Sequence, residues 1–234
     1  MVEFPEKIKA YISKVEKETG LPVIIEEVKD VGLSGMKERT RYYPDKIHIE
    51  ITPKTFETLE HSIPHELTHG LLWHKRGYSP LKLRLSIPLR EQTALGILNT
   101  MLEDIVVNRI IHEEGFEAFS AIYLEMVEKE TKFIIRGRDI YADFQDPTIK
   151  DKFMVFRYIM AWGFMEYFDL GIHTRRVLAK FMRTFQRFCP HQYELAKQVE
   201  KVIRENDIFT AQGHLNALKG ILRIWNLESF VIPP

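Results

Sequence analysis

His65-Glu66-Leu67-Thr68-His69, inside the run Ser62-Ile63-Pro64-His65-Glu66-Leu67-Thr68-His69-Gly70-Leu71-Leu72, organises the reading of this 234-residue chain. Residues four apart on an α-helix lie about 40° apart around its axis, so the two imidazoles leave one face and can grip a single ion. Glu66, one step round, can act on water at that ion without being a ligand. The neighbours support a helix, since Ile63, Leu67, Leu71 and Leu72 recur at helical spacing. Ser62 reads as the N-cap, Pro64 as a first-turn residue and Gly77 as the stop, predicting a helix from Ile63 to Arg76 with a start as early as Lys54 allowed.

Upstream, Pro5 to Lys17 reads as a helix with Ile8, Tyr11, Ile12 and Val15 on one face, ended by Gly20. Strands are predicted over Leu21 to Val28, Met36 to Tyr43 and Lys46 to Ile51, with turns at Gly32-Leu33-Ser34-Gly35 and Pro44-Asp45. His48 and Glu50, alternating with Ile47, Ile49 and Ile51, are expected to be solvated edge residues. Downstream of Leu81 the pattern is helical over 89–114, 116–135, 150–169, 173–188, 191–205 and 211–227. Breaks are expected at Gly115, Gly137, Pro147, Gly171, Pro190 and Gly213. The expected fold class is therefore α+β, a small N-terminal mixed sheet and the His helix over residues 1–78, then a mainly helical subdomain over 79–234. His74, five residues after His69 and rotated off its face, reads as a helix-end histidine.

HELTHG resembles the active-site helix of the HEXXH zincin metallopeptidases, which hydrolyse peptide bonds with a zinc-activated water. The resemblance covers Ile63 to Arg76 and, more loosely, residues 46–112. The metzincin branch needs a glycine at Leu72 and a histidine at Lys75, and the peptide deformylases need a cysteine upstream of the motif, so neither fits. Gluzincins take a carboxylate from a later helix in an E-x-x-x-D pattern whose second acid holds a ligand histidine. Here Glu103 and Asp104 sit in an apolar helix, where two adjacent carboxylates need a metal or a cation. Asp104 with Asn108 forms D-x-x-x-N, an aspzincin-like variant with Asn108 as partner of an imidazole; Glu103 with Asn99 is the alternative, and the acid not used would neighbour Arg109.

The resemblance implies one Zn2+ held by His65, His69 and Asp104 or Glu103, with Glu66 as general base toward a peptide or protein substrate. It also implies an oxyanion stabiliser from the later subdomain, for which Tyr141 and His173 are the candidates, and a strand just before the His helix that pairs with extended substrate. A non-proteolytic zinc-binding sensor or partner-binding protein on the same scaffold is the alternative function, and a helical interaction module without metal is a third.

Lysine plus arginine equals aspartate plus glutamate at 33 each, so no net field recruits nucleic acid or an anionic membrane. One cysteine, Cys189, excludes an internal disulfide framework and fits a reducing compartment, and the charged start Glu3, Glu6, Lys7 predicts a cytoplasmic protein rather than an exported one. Phe153 to Phe168 carries seven aromatic residues in sixteen, yet Arg157 and Glu166 interrupt it well short of the roughly 20 apolar residues of a membrane span. A buried helix is the expectation. Nothing in the sequence specifies an oligomeric state.

Overall fold

A computed structural model describes residues 4–31, 38–78, 81–117, 121–138, 141 and 144–232, with the backbone alone at 56, 57 and 121. The fold is α+β and mostly helical. Its described elements are eight α-helices, two short 3₁₀ helices and one three-stranded mixed sheet. The chain forms two compact units, one of Met1–Ser79 with Val107–Ser120, the other of Pro80–Val106 with Ala121–Pro234.

In the first unit, α1 (Glu6–Thr19) is closed by Gly20 at φ 71°, a left-handed cap that glycine adopts without Cβ strain. Strands β1 (Val23–Glu27), β2 (Glu38–Tyr42) and β3 (Ile47–Ile51) follow, and the predicted turn at Gly32–Gly35 lies outside the described residues. The strand order is β1-β3-β2, with β3 parallel to β1 and antiparallel to β2. The strand before the His helix is thus the central one. Its backbone is hydrogen-bonded on both sides, so it has no edge to offer an extended substrate. His48 and Glu50 are buried there, which corrects their reading as solvated edge residues: Glu50 receives Arg39 at 2.7 Å and Arg41 at 2.5 Å from β2, and His48 pairs with Glu26 of β1 at 3.0 Å.

The helix that carries the motif, α2 (Leu59–Lys75), begins four residues earlier than the predicted Ile63, directly after a 3₁₀ helix at Pro53–Thr58. Ser62 is consequently not an N-cap and Pro64 not a first-turn residue. Pro64 lies inside the helix, where it cannot donate to the Glu60 carbonyl, and the Ser62 hydroxyl donates to Glu38 at 2.8 Å instead. The C-terminal end follows expectation, with Gly77 at φ 74° after Arg76. Ile63, Leu67 and Leu71 of α2 pack with Ile47, Ile49 and Ile51 of β3, Ile8, Tyr11 and Val15 of α1, and Ile111 and Phe116. Helix and sheet approach so closely that a Cβ on Gly70 would stand 2.7 Å from Ile47 Cγ2. Residues Val107 onward of α3 (Leu89–Glu113) belong to this unit, and Gly115 at φ 80° turns Phe116 back to meet the Tyr11 ring at 5.3 Å.

The second unit contains the earlier part of α3 with α4 (Ala121–Ile135), α5 (Pro147–Tyr167), α6 (Ile172–Phe188), α7 (Pro190–Arg204) and α8 (Ala211–Ile224). Pro147 and Pro190 are first residues of helices rather than breaks between them, because a first-turn residue needs no N–H donor. Gly213 also lies inside a helix, and a Cβ there would fall 1.9 Å from the Asp207 carbonyl oxygen. The aromatic helix α5 is buried from Tyr158 to Phe164, as its composition suggests, and Arg157 within it meets Glu130 of α4 at 3.0 Å. No described helix is long and apolar enough to cross a membrane.

Candidate metal centre

One face of α2 is committed to the core, which leaves His61, His65, His69 and Trp73, spaced by four, as a ladder of rings on another face. Successive ring centroids are 5.4, 4.9 and 5.8 Å apart. Within this ladder the Nε2 atoms of His65 and His69 converge to 3.2 Å. Two nitrogens each about 2.05 Å from a tetrahedral ion stand about 3.3 Å apart, so the pair has the bite of a chelate. One donor atom each from His65, Glu66 and His69 lies within 4.8 Å of the others, and both imidazoles are half-buried. The residues therefore fit the ion that the motif implies.

The orientation of His65 comes from α3. Its Nδ1 lies 3.0 Å from Asn108 Oδ1. A carbonyl oxygen can only accept, so this contact is a hydrogen bond in the tautomer with the proton on His65 Nδ1, the one that leaves Nε2 open toward His69. Asn108 itself is buried in α3, 3% exposed.

Glu66 is buried, and its carboxylate is held from the sheet rather than from its own helix. Thr40 of β2 has its hydroxyl 2.6 Å from Glu66 Oε2 and 2.8 Å from the Glu66 carbonyl oxygen, two acceptors for one proton. Next along the same strand face, Glu38 accepts from Ser62 at 2.8 Å and from Thr55 at 3.2 Å. Burial pushes the Glu38 carboxyl above the usual carboxylate range, and the neighbouring Glu66 charge pushes in the same direction. Tyr11 ties α1 to the back of α2 through Thr68 at 2.8 Å, and burial raises its phenol pKa to about 12. His74, at the helix end as expected, stacks on Tyr42 with ring centroids 5.1 Å apart, and burial lowers its pKa.

The structure thus brings together His65, Glu66, His69 and Asn108. Glu103, Asp104, Tyr141 and His173 belong to the second unit. Glu103 is buried there close enough to His214 for its charge to act on that imidazole, although burial dominates and takes His214 down to about 4. Tyr141 is buried with its ring 5.5 Å from Phe153, and its hydroxyl pKa is driven up by burial and by the Glu130 charge. His173 is exposed in the first turn of α6. Sequence reasoning missed Thr40 and Glu38. Their alternation with Arg39 and Arg41 was visible, but which alternate set faces the helix depends on how the strand pairs. Comparison of the chain with family models, curated proteins and solved structures finds no match.

Proposed function

We propose that this protein is a zinc-dependent peptidase of the HEXXH type, with His65 and His69 as metal ligands and Glu66 as general base. The observation that carries the reading is the pair of Nε2 atoms 3.2 Å apart, one of them on an imidazole whose tautomer Asn108 sets. A zinc ion on these residues would supply a Lewis acid that polarises a carbonyl and acidifies water. Glu66, buried and steadied by Thr40, accepts the proton of the attacking water and delivers it to the departing amine. Thr40 keeps that carboxylate in one orientation while the proton comes and goes.

The third ligand is proposed to be Asp104. Helix periodicity supports it over Glu103, because Asp104 lies four residues before Asn108 and so on its face of α3. The decisive experiment is zinc content with a peptide-cleavage profile for wild type and Glu66→Ala. The variant is expected to hold one zinc per chain and lose at least 100-fold in hydrolysis, in line with loss of a general base. Undiminished cleavage would refute the role of Glu66. One tightly held zinc with no cleavage of a diverse peptide library would favour a non-proteolytic zinc protein, and no zinc at all would end both readings.

A further inference from the structure

A cavity of about 560 Å³ opens within the helical unit, bounded by the start of α3, the first turns of α5 and the chain following α8. That volume falls in the range of roughly 300–1,000 Å³ typical of small-molecule sites. Its wall mixes apolar side chains such as Leu195 with the charged Arg90, Glu91, Asp151 and Lys152 and the ring of Trp225.

Those charges are not equivalent. Arg90 donates from both Nε, at 2.7 Å, and Nη2 to Glu91 Oε1, so these two largely compensate each other. Asp151 accepts the Gln192 amide on Oδ1 at 2.8 Å, and no described hydrogen bond uses its Oδ2. Lys152 is half-buried, has its Nζ 5.8 Å from the Trp225 ring centroid, and makes no hydrogen bond or ion pair to a described residue. Burial lowers its pKa, and the Arg90 charge adds to that against the pull of Asp146 and Asp151. An ammonium withdrawn from water without an acceptor is destabilised, and a bound anion relieves that cost. Two cations and two acids leave the wall without net charge, so a multiply charged phosphate would be opposed by Glu91 and Asp151. A molecule with one carboxylate, one ammonium and an apolar body meets every element of the site.

We propose that this cavity binds a free amino acid or dipeptide with a large apolar side chain, its carboxylate on Lys152, its ammonium on Asp151 and its apolar body beside Trp225. The inference does not depend on the metal centre.

The test is isothermal titration calorimetry on the full chain with L-phenylalanine, and with L-phenylalanyl-L-phenylalanine on the Glu66→Ala chain so that hydrolysis cannot consume it. Saturable one-to-one binding is expected, and the tighter of the two identifies the occupant. 3-Phenylpropanoate, lacking the ammonium, and phenethylamine, lacking the carboxylate, are each expected to bind about tenfold or more weaker than L-phenylalanine, as for loss of a charge-assisted hydrogen bond. Lys152→Met should weaken L-phenylalanine about tenfold or more, and Lys152→Arg, which keeps a cation, should retain most of the affinity. Asp151→Asn supplies an independent arm if the methionine variant does not fold, and should weaken both L-phenylalanine and phenethylamine. No saturable heat from either ligand up to about 10 mM, inorganic phosphate binding as tightly as L-phenylalanine, or unchanged affinity in folded Lys152→Met or in Asp151→Asn would overturn the proposal.

Discussion

Asn108→Ala deletes the carbonyl oxygen that lies 3.0 Å from His65 Nδ1, and so removes the group that sets the tautomer and ring orientation of a proposed zinc ligand. Groups of this kind are worth about 10–100-fold in metal affinity, or roughly 1.4–2.7 kcal/mol. His65 is half-exposed, so water can replace part of the lost hydrogen bond, which sets the expectation at the lower end, about tenfold. Asn108 itself is only 3% exposed, and truncation also leaves a void that lowers stability without bearing on the metal. Asn108→Leu, which keeps the branching at Cγ and the number of side-chain heavy atoms, separates the two effects: the same loss of affinity with a smaller fall in melting temperature. Asn108→Asp keeps an acceptor and gives it charge, so zinc binding should be at least as tight as in wild type. Competition for zinc against a chelator of known affinity measures all three, with thermal melts alongside. Wild-type zinc affinity in folded Asn108→Leu, under conditions where His65→Ala has lost the metal, would refute the reasoning.

Two further outcomes are expected. Burial takes the His214 pKa to about 4, below the ordinary 6.5, so the folded state resists protonation that the unfolded chain accepts. Its contribution is complete above about pH 6.5 and is lost as pH falls toward 4, on the order of 3 kcal/mol across that window. Urea unfolding at pH 7.5 and 4.5 should therefore show a smaller acid loss in His214→Phe than in wild type, and identical losses would contradict the assignment. For the third ligand, Asp104→Ala should lower zinc affinity at least tenfold and Glu103→Ala should leave it nearly unchanged; the reverse pattern in the same chelator competition transfers the role to Glu103.

Much of the secondary structure was legible because helices and strands answer to local rules. The apolar spacing of Ile63, Leu67 and Leu71 marks a helix wherever it sits, and the alternation Ile47, Ile49, Ile51 marks a strand. Helix starts were less legible. Ser62 carries the chemistry of a cap, but the 3₁₀ helix at Pro53–Thr58 continues directly into α2, so the serine falls inside and turns to Glu38. Pro147 and Pro190 show the same ambiguity from the other side, since a proline that ends one helix and a proline that begins the next look alike in sequence.

The convergence of His65 and His69 was determined by sequence alone, because a spacing of four within one helix brings two side chains together whatever surrounds them. The environment of Glu66 was decided by tertiary structure. The order β1-β3-β2 buries His48 and Glu50 in the middle of the sheet and turns Thr40 and Glu38 toward α2, and strand order is a pairing between segments distant in the chain that no local pattern encodes. The hold of Asn108 on His65 joins residues 43 apart in sequence and is non-local in the same way: the likeness of D-x-x-x-N to the zincin pattern suggested the partner, and only the packing of α3 in the first unit put its oxygen within hydrogen-bonding distance of Nδ1.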